Sequence, residues 1–528
     1  MYKILVSDPI SDQGIQQLYE APEITVDKKT GLNEDQLCEI IGEYDALLVR
    51  SQTKVTARVM EAAKRLKVIG RAGVGVDNID LEAATERGIV VINAPDGNTV
   101  STCEHTFAMI MALARNIPQA YAKTVSGEWD RKSFVGVELR NKVLGIIGMG
   151  RIGSEVAKRA KAFGMEVIGY DPFLTEERAE KMGVRLASVE ELVQQSDFIT
   201  VHTPLTNETR HMINTEQFRK MKKGVRIINC ARGGIIHEGA LLQAIEDGIV
   251  AGAAFDVFEE EPPAKDHPFL HHPKIIVTPH LGASTVEAQE NVAVDVAEEV
   301  LHVLRDEPFK NAVNMPPVPA PVFAKLQPYF ILGEKMGSIL AQITEGAIKE
   351  ITVNFSGELA DVDTAPLVRY MLKGLLSHHL GSEVNIVNSL HLAKSRDLHI
   401  VRQKSTMTKG FTSLISISAR TNREERKIAG TLLNGYGARI VEIDQYPVDL
   451  APEGNLLLVS HTDKPGMIGR LGTLLGNNDI NIATMQVGRK IIGGAAIMVL
   501  TVDKPVPKDV LEELARLPEM NSVKEIRL

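Results

Sequence analysis

The amino-acid sequence predicts an α/β protein: two Rossmann-like, doubly wound parallel-sheet domains, then an α/β intervening domain and a small βαββαβ module of ferredoxin-like type. Three observations carry this prediction. Short apolar runs alternate with helical patterns through residues 1–283, a rhythm that implies parallel strands covered by helices. A glycine fingerprint, Gly148-Met149-Gly150-Arg151-Ile152-Gly153, separates one apolar run from an amphipathic stretch. Residues 455–528 read strand, helix, strand, strand, helix, strand.

In chain order, Ile4–Ser7, Ala46–Val49, Val68–Gly70 and Val90–Ile92 read as buried strands of a first domain, residues 1–97. Residues 98–283 hold six more: Val143–Ile147, Val167–Tyr170, Phe198–Thr203, Val225–Asn229, Gly252–Asp256 and Ile275–Thr278. Six strands suit a complete dinucleotide-binding domain. Its fingerprint lies near residue 150, so a separate α/β domain precedes it. A long helix follows, with Val292, Val296, Val300 and Leu304 on one face and Ser284 with Glu287 as a capping box. The proline-rich stretch Met315–Pro321 reads as a stiff linker. Residues 322–451 form an α/β segment in which Lys394, Arg396, Arg402 and Lys404 are either an anion site or a solvated face. The tail places strands at Leu456–Ser460, Ile480–Gly488, Ala495–Val502 and Val523–Arg527, with helices at Met467–Leu475 and Val510–Leu517.

At 528 residues the chain is too long for a single core. Lys plus Arg number 59 against 68 Asp plus Glu, a net charge of −9, which argues against broad nucleic-acid binding. The three cysteines, Cys38, Cys103 and Cys230, are widely spaced and match no metal motif. They suggest a reducing compartment. No leader precedes the first strand, and no apolar stretch reaches about 18 residues. The expectation is a cytoplasmic protein without a membrane span or a metal.

The fingerprint has a physical reading. Gly148 permits a tight turn, Gly150 lets backbone amides approach a pyrophosphate, and Gly153 lets helix pack on strand. The pyrophosphate then meets a helix N-terminus. Asp171 closes the next strand near the expected offset. Its carboxylate would accept from a ribose diol and repel a 2′-phosphate, which favours NAD over NADP.

Three polar residues follow strand ends, where this architecture gathers ligands. Arg232 lies in Asn229-Cys-Ala-Arg-Gly-Gly234, and its planar fork suits a carboxylate with a neighbouring oxo group. Glu261 is the last of three glutamates before Pro262, a run that alone reads as a solvated loop. His280 follows Thr278-Pro279. Beside NAD, a histidine held by a carboxylate takes a hydroxyl proton while hydride leaves, and arginine binds the acid. The set suits hydride transfer on a 2-hydroxy acid.

On these motifs, residues 1–315 resemble the D-isomer-specific 2-hydroxyacid dehydrogenases, and the whole chain resembles their long form with an intervening and an ACT domain. The resemblance implies oxidation of 3-phospho-D-glycerate to 3-phosphooxypyruvate, on the route to L-serine. It implies that Arg232, Glu261 and His280 are catalytic, and that residues 284–315 complete the substrate domain begun by 1–97. Hinges near 97–100 and 283–285 would close the cleft. Arg151, Ile152, Thr203, Ala231, Asp256 and His280 match positions that touch NAD. The amides of Val74 and Gly75 would meet the substrate carboxylate, and Arg50 and Arg71 the phosphate. Val74 stands where some relatives carry threonine.

In the ACT-like tail, His461, Asp463 and Asn481 would bind L-serine as effector; a purely structural module is the alternative. Homo-oligomerisation, as dimer or tetramer, is expected. Trp129, the only tryptophan, is either an interface anchor with Arg131 or Lys132 near the neighbour's site, or a core residue. Two rival functions stay open: another D-2-hydroxy-acid dehydrogenase, or an NAD-sensing interaction protein.

Overall fold

In a computed structural model, residues 1–528 form four sheets. The first has five parallel strands, Tyr2–Val6, Ile24–Lys28, Ala46–Val49, Val68–Arg71 and Val90–Asn93, in the spatial order second, first, third, fourth, fifth. The second has seven parallel strands: Val143–Ile147, Glu166–Tyr170, Arg185–Leu186, Phe198–Val201, Val225–Asn229, Val250–Phe255 and Ile275–Val277. Their order, 3-2-1-4-5-6-7, reverses direction beside the first strand, which is where a doubly wound sheet opens a ligand crevice.

Two of these strands lie outside the sequence reading. Ile24–Lys28 is an edge strand with Thr25 and Lys28 exposed, so it shows no apolar run. Arg185–Leu186 is only two residues long. The helix expected from Ser284 spans Val286–Leu304 and is capped by Thr285, whose hydroxyl accepts from the Ala288 amide. Ser284 is instead the closing residue of a turn, its amide donating to the Leu281 carbonyl. The proline-rich linker is shorter than expected. A helix, Ala320–Ile343, starts inside it with Pro321 in the first turn, where a missing N–H costs nothing.

Helix Val286–Leu304 returns to the first sheet. Val292, Val296, Val300 and Leu304 are all buried in its core. A Cβ on Gly70 would stand 2.6 Å from Val296 Cγ1 and 2.9 Å from Val300 Cγ2, so only glycine lets the helix rest on that strand. The chain then runs along the sheet edge, where Ala312 bridges Ile92 and the Asn314 side chain pairs with Val91 and Ile89. Helix Thr99–Arg115 crosses the other way, burying Cys103, Phe107, Ile110 and Leu113 against the second sheet. Where the two crossings meet, the hydroxyls of Ser101 and Thr285 lie 2.8 Å apart.

Residues 350–450 form a mixed six-stranded sheet with one parallel pair. The last sheet, Asn455–Thr462, Ile482–Arg489, Ala495–Val502 and Met520–Arg527, is antiparallel in the order 2-3-1-4. Its residues alternate in allegiance. Leu457, Val459, Met498 and Leu500 face helices Met467–Asn477 and Lys508–Ala515, whereas Leu456, Leu458, Ile497 and Val499 join the core under helix Ala320–Ile343. No helix is long and apolar enough to cross a membrane.

Replacing Val296 with alanine removes methyl groups packed on Gly70. It should lower the stability of the N-terminal half by about 1–3 kcal/mol, read from its urea transition. An unchanged midpoint would mean that the returning helix is not part of that core.

Candidate active site

The strand ends of the first two sheets face each other across a cleft. On one wall, Asn229 ends a strand and is fully buried. Its side-chain oxygen accepts from the Ala231 amide at 3.0 Å, and its amide donates to the Arg232 carbonyl at 2.9 Å. Arg232 is thereby held at the lip. A Cβ on Gly233 would stand 1.7 Å from the Phe258 carbonyl oxygen, so glycine lets this loop lie against the Asp256–Glu261 loop.

The three glutamates of that loop separate cleanly. Glu259 pairs with His211, Glu260 makes no ion pair, and Glu261 turns inward. Its Oε2 lies 2.7 Å from His280 Nδ1, and Oε1 accepts from the Phe258 amide at 3.1 Å. Burial alone would raise the Glu261 carboxyl. The hydrogen bond and charge of His280, the Phe258 amide and the Arg232 guanidinium carry it below the usual range instead. With Nδ1 engaged by Glu261, Nε2 is the nitrogen left for a ligand.

Asp256 holds the His280 loop from beneath and is fully buried. Its oxygens accept from the Thr278 hydroxyl at 2.6 Å, the Leu281 amide at 2.7 Å and the Gly282 amide at 2.8 Å, and His105 Nε2 lies at 3.2 Å. These bonds make it the brace of the His280 loop. His280 adopts a left-handed conformation, φ +55°, and its amide donates to the Asp256 carbonyl at 2.9 Å.

On the opposite wall stand Arg50, Arg71, Val74 and Gly75. Burial, then the like charge of Arg232 and, less strongly, of Arg50, brings Arg71 down to about 10, which marks a shared cationic corner. The buried Nε of Arg71 has no partner. Two residues that the motifs did not indicate shape this wall. Asp8 is buried and accepts from the amides of Arg50, Gln52 and Thr53 and from the Thr53 hydroxyl. Asn78 donates to the carbonyls of Arg50 and Thr53. An acid just past the first strand was the available signal for Asp8. Asp77 crosses the cleft, its Oδ2 3.0 Å from Arg232 Nε.

The fingerprint occupies the turn into helix Arg151–Ala162, whose N-cap, Gly150, brings no capping side chain. Gly148 has φ +96°, and a Cβ on Gly153 would stand 2.0 Å from the Gly148 carbonyl oxygen, whereas one on Gly150 would meet nothing. That open space, the uncapped helix end and the buried, unpartnered hydroxyl of Thr203 fit a dinucleotide. Asp171 accepts from the Met149 amide at 2.9 Å, beside the fingerprint. Ala231 lies on the Asn229-braced loop and Ile152 in the helix's first turn. Arg151 forms an ion pair with Asp96, in the loop after strand Val90–Asn93.

The tail residues are not brought together. His461 and Asp463 lie at the end of strand Asn455–Thr462, with Asp463 bound to Arg489 and the Gly493 amide. Asn481 precedes strand Ile482–Arg489 and donates to Asp503. Pairing with Ala495–Val502 puts His461 opposite Ala496 but Ile482 opposite Val502, so Asn481 sits at the other end of the sheet. Lys394, Arg396, Arg402 and Lys404 are all exposed. Trp129 is 84% exposed, which rules out the core alternative.

Three family models match in sequence: the NAD binding domain of D-isomer specific 2-hydroxyacid dehydrogenases over residues 107–282, the D-3-phosphoglycerate dehydrogenase intervening domain over 325–444, and the ACT domain over 455–519. Curated D-3-phosphoglycerate dehydrogenases from Bacillus subtilis and Methanocaldococcus jannaschii are 48% and 49% identical, each aligned over 100% of both chains. The chain belongs to the D-3-phosphoglycerate dehydrogenase family. Among solved structures, a D-lactate dehydrogenase from Aquifex aeolicus complexed with NAD and lactic acid is 30% identical, with a TM-score of 0.51 over 58% of this chain and 96% of its own. Family membership supports the α/β fold and the NAD-binding domain read from the motifs.

The opposed influences on Glu261 give a signed expectation. Removing the imidazole in His280→Ala leaves burial in place and deletes the largest influence lowering the carboxyl. Its titration, followed by carbon-13 NMR of labelled glutamate, should move upward. An unmoved or lower titration would show that His280 does not hold this carboxylate.

Proposed function

We propose that the chain oxidises 3-phospho-D-glycerate to 3-phosphooxypyruvate with NAD, the first step of L-serine synthesis. The observation that carries this is the Glu261–His280 pair at 2.7 Å, set on loops that neighbour the Arg232 loop and across from Arg50 and Arg71. Bound NAD would supply the hydride acceptor; Gly148, Gly150, Arg151, Ile152, Gly153, Asp171, Thr203 and Ala231 would hold it, with Asp256 supporting from below.

The chain's own work is positional and protic. The amides of Val74 and Gly75 donate to no acceptor within the chain, which leaves them for the substrate carboxylate beside Arg232. Arg50 and Arg71 take the phosphate, a group that suits a pocket of crowded cations. His280 Nε2 takes the C2 hydroxyl proton, and the Glu261 carboxylate stabilises the imidazolium so formed. In reverse, Arg232 polarises the oxo group and His280 returns the proton. Closure about 97–100 and 283–285 excludes water.

L-serine is the effector assigned to the tail. Because Asn481 and Asp463 occupy opposite ends of one sheet, a serine touching both needs a second copy of the module. A homo-oligomer is the proposed assembly, with exposed Trp129, beside exposed Tyr121 and Val125, as an anchor in one contact. All three cysteines are free, in keeping with the cytoplasm as the compartment.

NADH consumption is to be followed with 3-phosphooxypyruvate, pyruvate and hydroxypyruvate, with and without millimolar L-serine. Selective use of the phosphorylated acid, suppressed by serine, is expected. Preference for an unphosphorylated acid would remove the phosphate role of Arg50 and Arg71. Binding of NADH without turnover would favour an NAD-sensing protein. His280→Ala should lower kcat by about 10²–10⁴-fold with NADH affinity kept; near-normal turnover would remove it as the acid–base group.

A further inference from the structure

The geometry points to Asp77 as a positioning residue that aligns the Arg232 guanidinium across the cleft for the substrate carboxylate, an inference that rests on the dehydrogenase reading. Asp77 belongs to the loop after strand Val68–Arg71, and Arg232 to the loop after Val225–Asn229. The pair therefore joins the two walls.

Arginine has five N–H donors in a fixed fork. Here Nε donates to Asp77 Oδ2 at 3.0 Å, and one Nη1 hydrogen goes to the Ala231 carbonyl at 2.7 Å. The remaining Nη1 hydrogen and the two on Nη2 are left for a ligand. Two bonds to differently placed acceptors fix both the direction and the roll of the planar group. Ala231, on the arginine's own loop, cannot do this alone.

The seat is built for that plane. A Cβ on Gly75 would stand 1.9 Å from Arg232 Nη2 and 2.8 Å from Asp77 Oδ2, so a side chain there would displace both partners. Gly75 also carries one of the amides assigned to the carboxylate. The Asp77 loop is itself braced: Asn78 donates to the carbonyls of Arg50 and Thr53, and Asn93 to the Val74 carbonyl at 2.5 Å. Asp77 thus moves with the amides that the substrate uses. Its charge also offsets that of Arg232 beside Arg71.

The Asp77 side chain is 67% exposed, and an exposed ion pair adds little to stability. Its consequence is orientation, where a small misplacement carries a large kinetic penalty. Since the partners come from opposite walls, alignment is complete only when the cleft is this narrow, which links closure to the readiness of Arg232.

A double-mutant cycle tests the proposal: Asp77→Ala, Asp77→Asn, Arg232→Ala and the Asp77→Ala/Arg232→Ala double variant. Readouts are kcat and KM for 3-phosphooxypyruvate, the NADH dissociation constant and Tm. In the otherwise unchanged chain, Asp77→Ala should lower kcat/KM about 10- to 100-fold, as for a lost hydrogen bond to a charged group, with Tm and NADH affinity kept. Asp77→Asn keeps an oxygen acceptor for Nε and should recover part of the loss. With Arg232 already absent, Asp77→Ala should cost less than about threefold, because the two act as a unit.

Losses that multiply in the double variant would overturn the proposal, as would activity unchanged by Asp77→Ala or a loss that tracks Tm or NADH affinity. These results leave the dehydrogenase reading standing. Absence of turnover in the unsubstituted chain would overturn that reading and this inference together.

Discussion

A buried carboxylate organises the centre of this molecule. Burial alone would push the Asp256 carboxyl upward; His105, the Thr278 hydroxyl and the Leu281 amide return it below the usual range, so it stays ionised. An unpaired charge in that position would be strongly destabilising. Asp256 is tolerated because Thr278, Leu281 and Gly282 all donate to it, with His105 alongside. Those donors belong to the turn that carries His280, so satisfying the charge and placing the histidine are one event. The left-handed backbone at His280 is maintained by the same contacts.

The second constraint is the pair of helices that cross between the first two sheets. Helix Val286–Leu304 is buried on Gly70, in the strand that leads to Arg71 and Val74, and Thr99–Arg115 is buried in the core of the fingerprint sheet. Their starts meet at Ser101 and Thr285. Each wall of the cleft therefore has a core of its own, and the two helices are the crossings between them. Charge follows the same division. Cations gather on both walls, whereas Asp77 and Asp96 each reach from one wall to an arginine of the other.

Much of this was legible because strand ends and glycines carry local signals. Arg232, Glu261 and His280 each lie in the loop that follows an apolar strand, and the structure sets those loops side by side. The residue pattern alone does not separate the adjacent glutamates, and only the motif resemblance points to Glu261, since its inward turn depends on the Phe258 amide and on His280. No motif singles out Asp8 or Asp77; their roles arise from residues 45 and 155 positions away. Strand Ile24–Lys28 was hidden by its exposed edge position, and the start of helix Ala320–Ile343 by Pro319 and Pro321, at its N-cap and in its first turn. The separation of Asn481 from Asp463 is a matter of strand direction, which a motif does not encode.

The C-terminal half is joined more closely than a string of modules. The last sheet lies with one face in the core of the intervening domain, so a ligand that shifted the tail would press on helix Ala320–Ile343. How a substrate sits in the cleft decides the catalytic roles, and a crystal structure of the chain with NAD and 3-phospho-D-glycerate tests them most directly. The carboxylate is expected against Arg232 and the amides of Val74 and Gly75, the phosphate at Arg50 and Arg71, and the C2 hydroxyl within hydrogen-bond reach of His280 Nε2. A substrate bound with its phosphate at Arg232, or with its hydroxyl out of reach of His280, would contradict those roles.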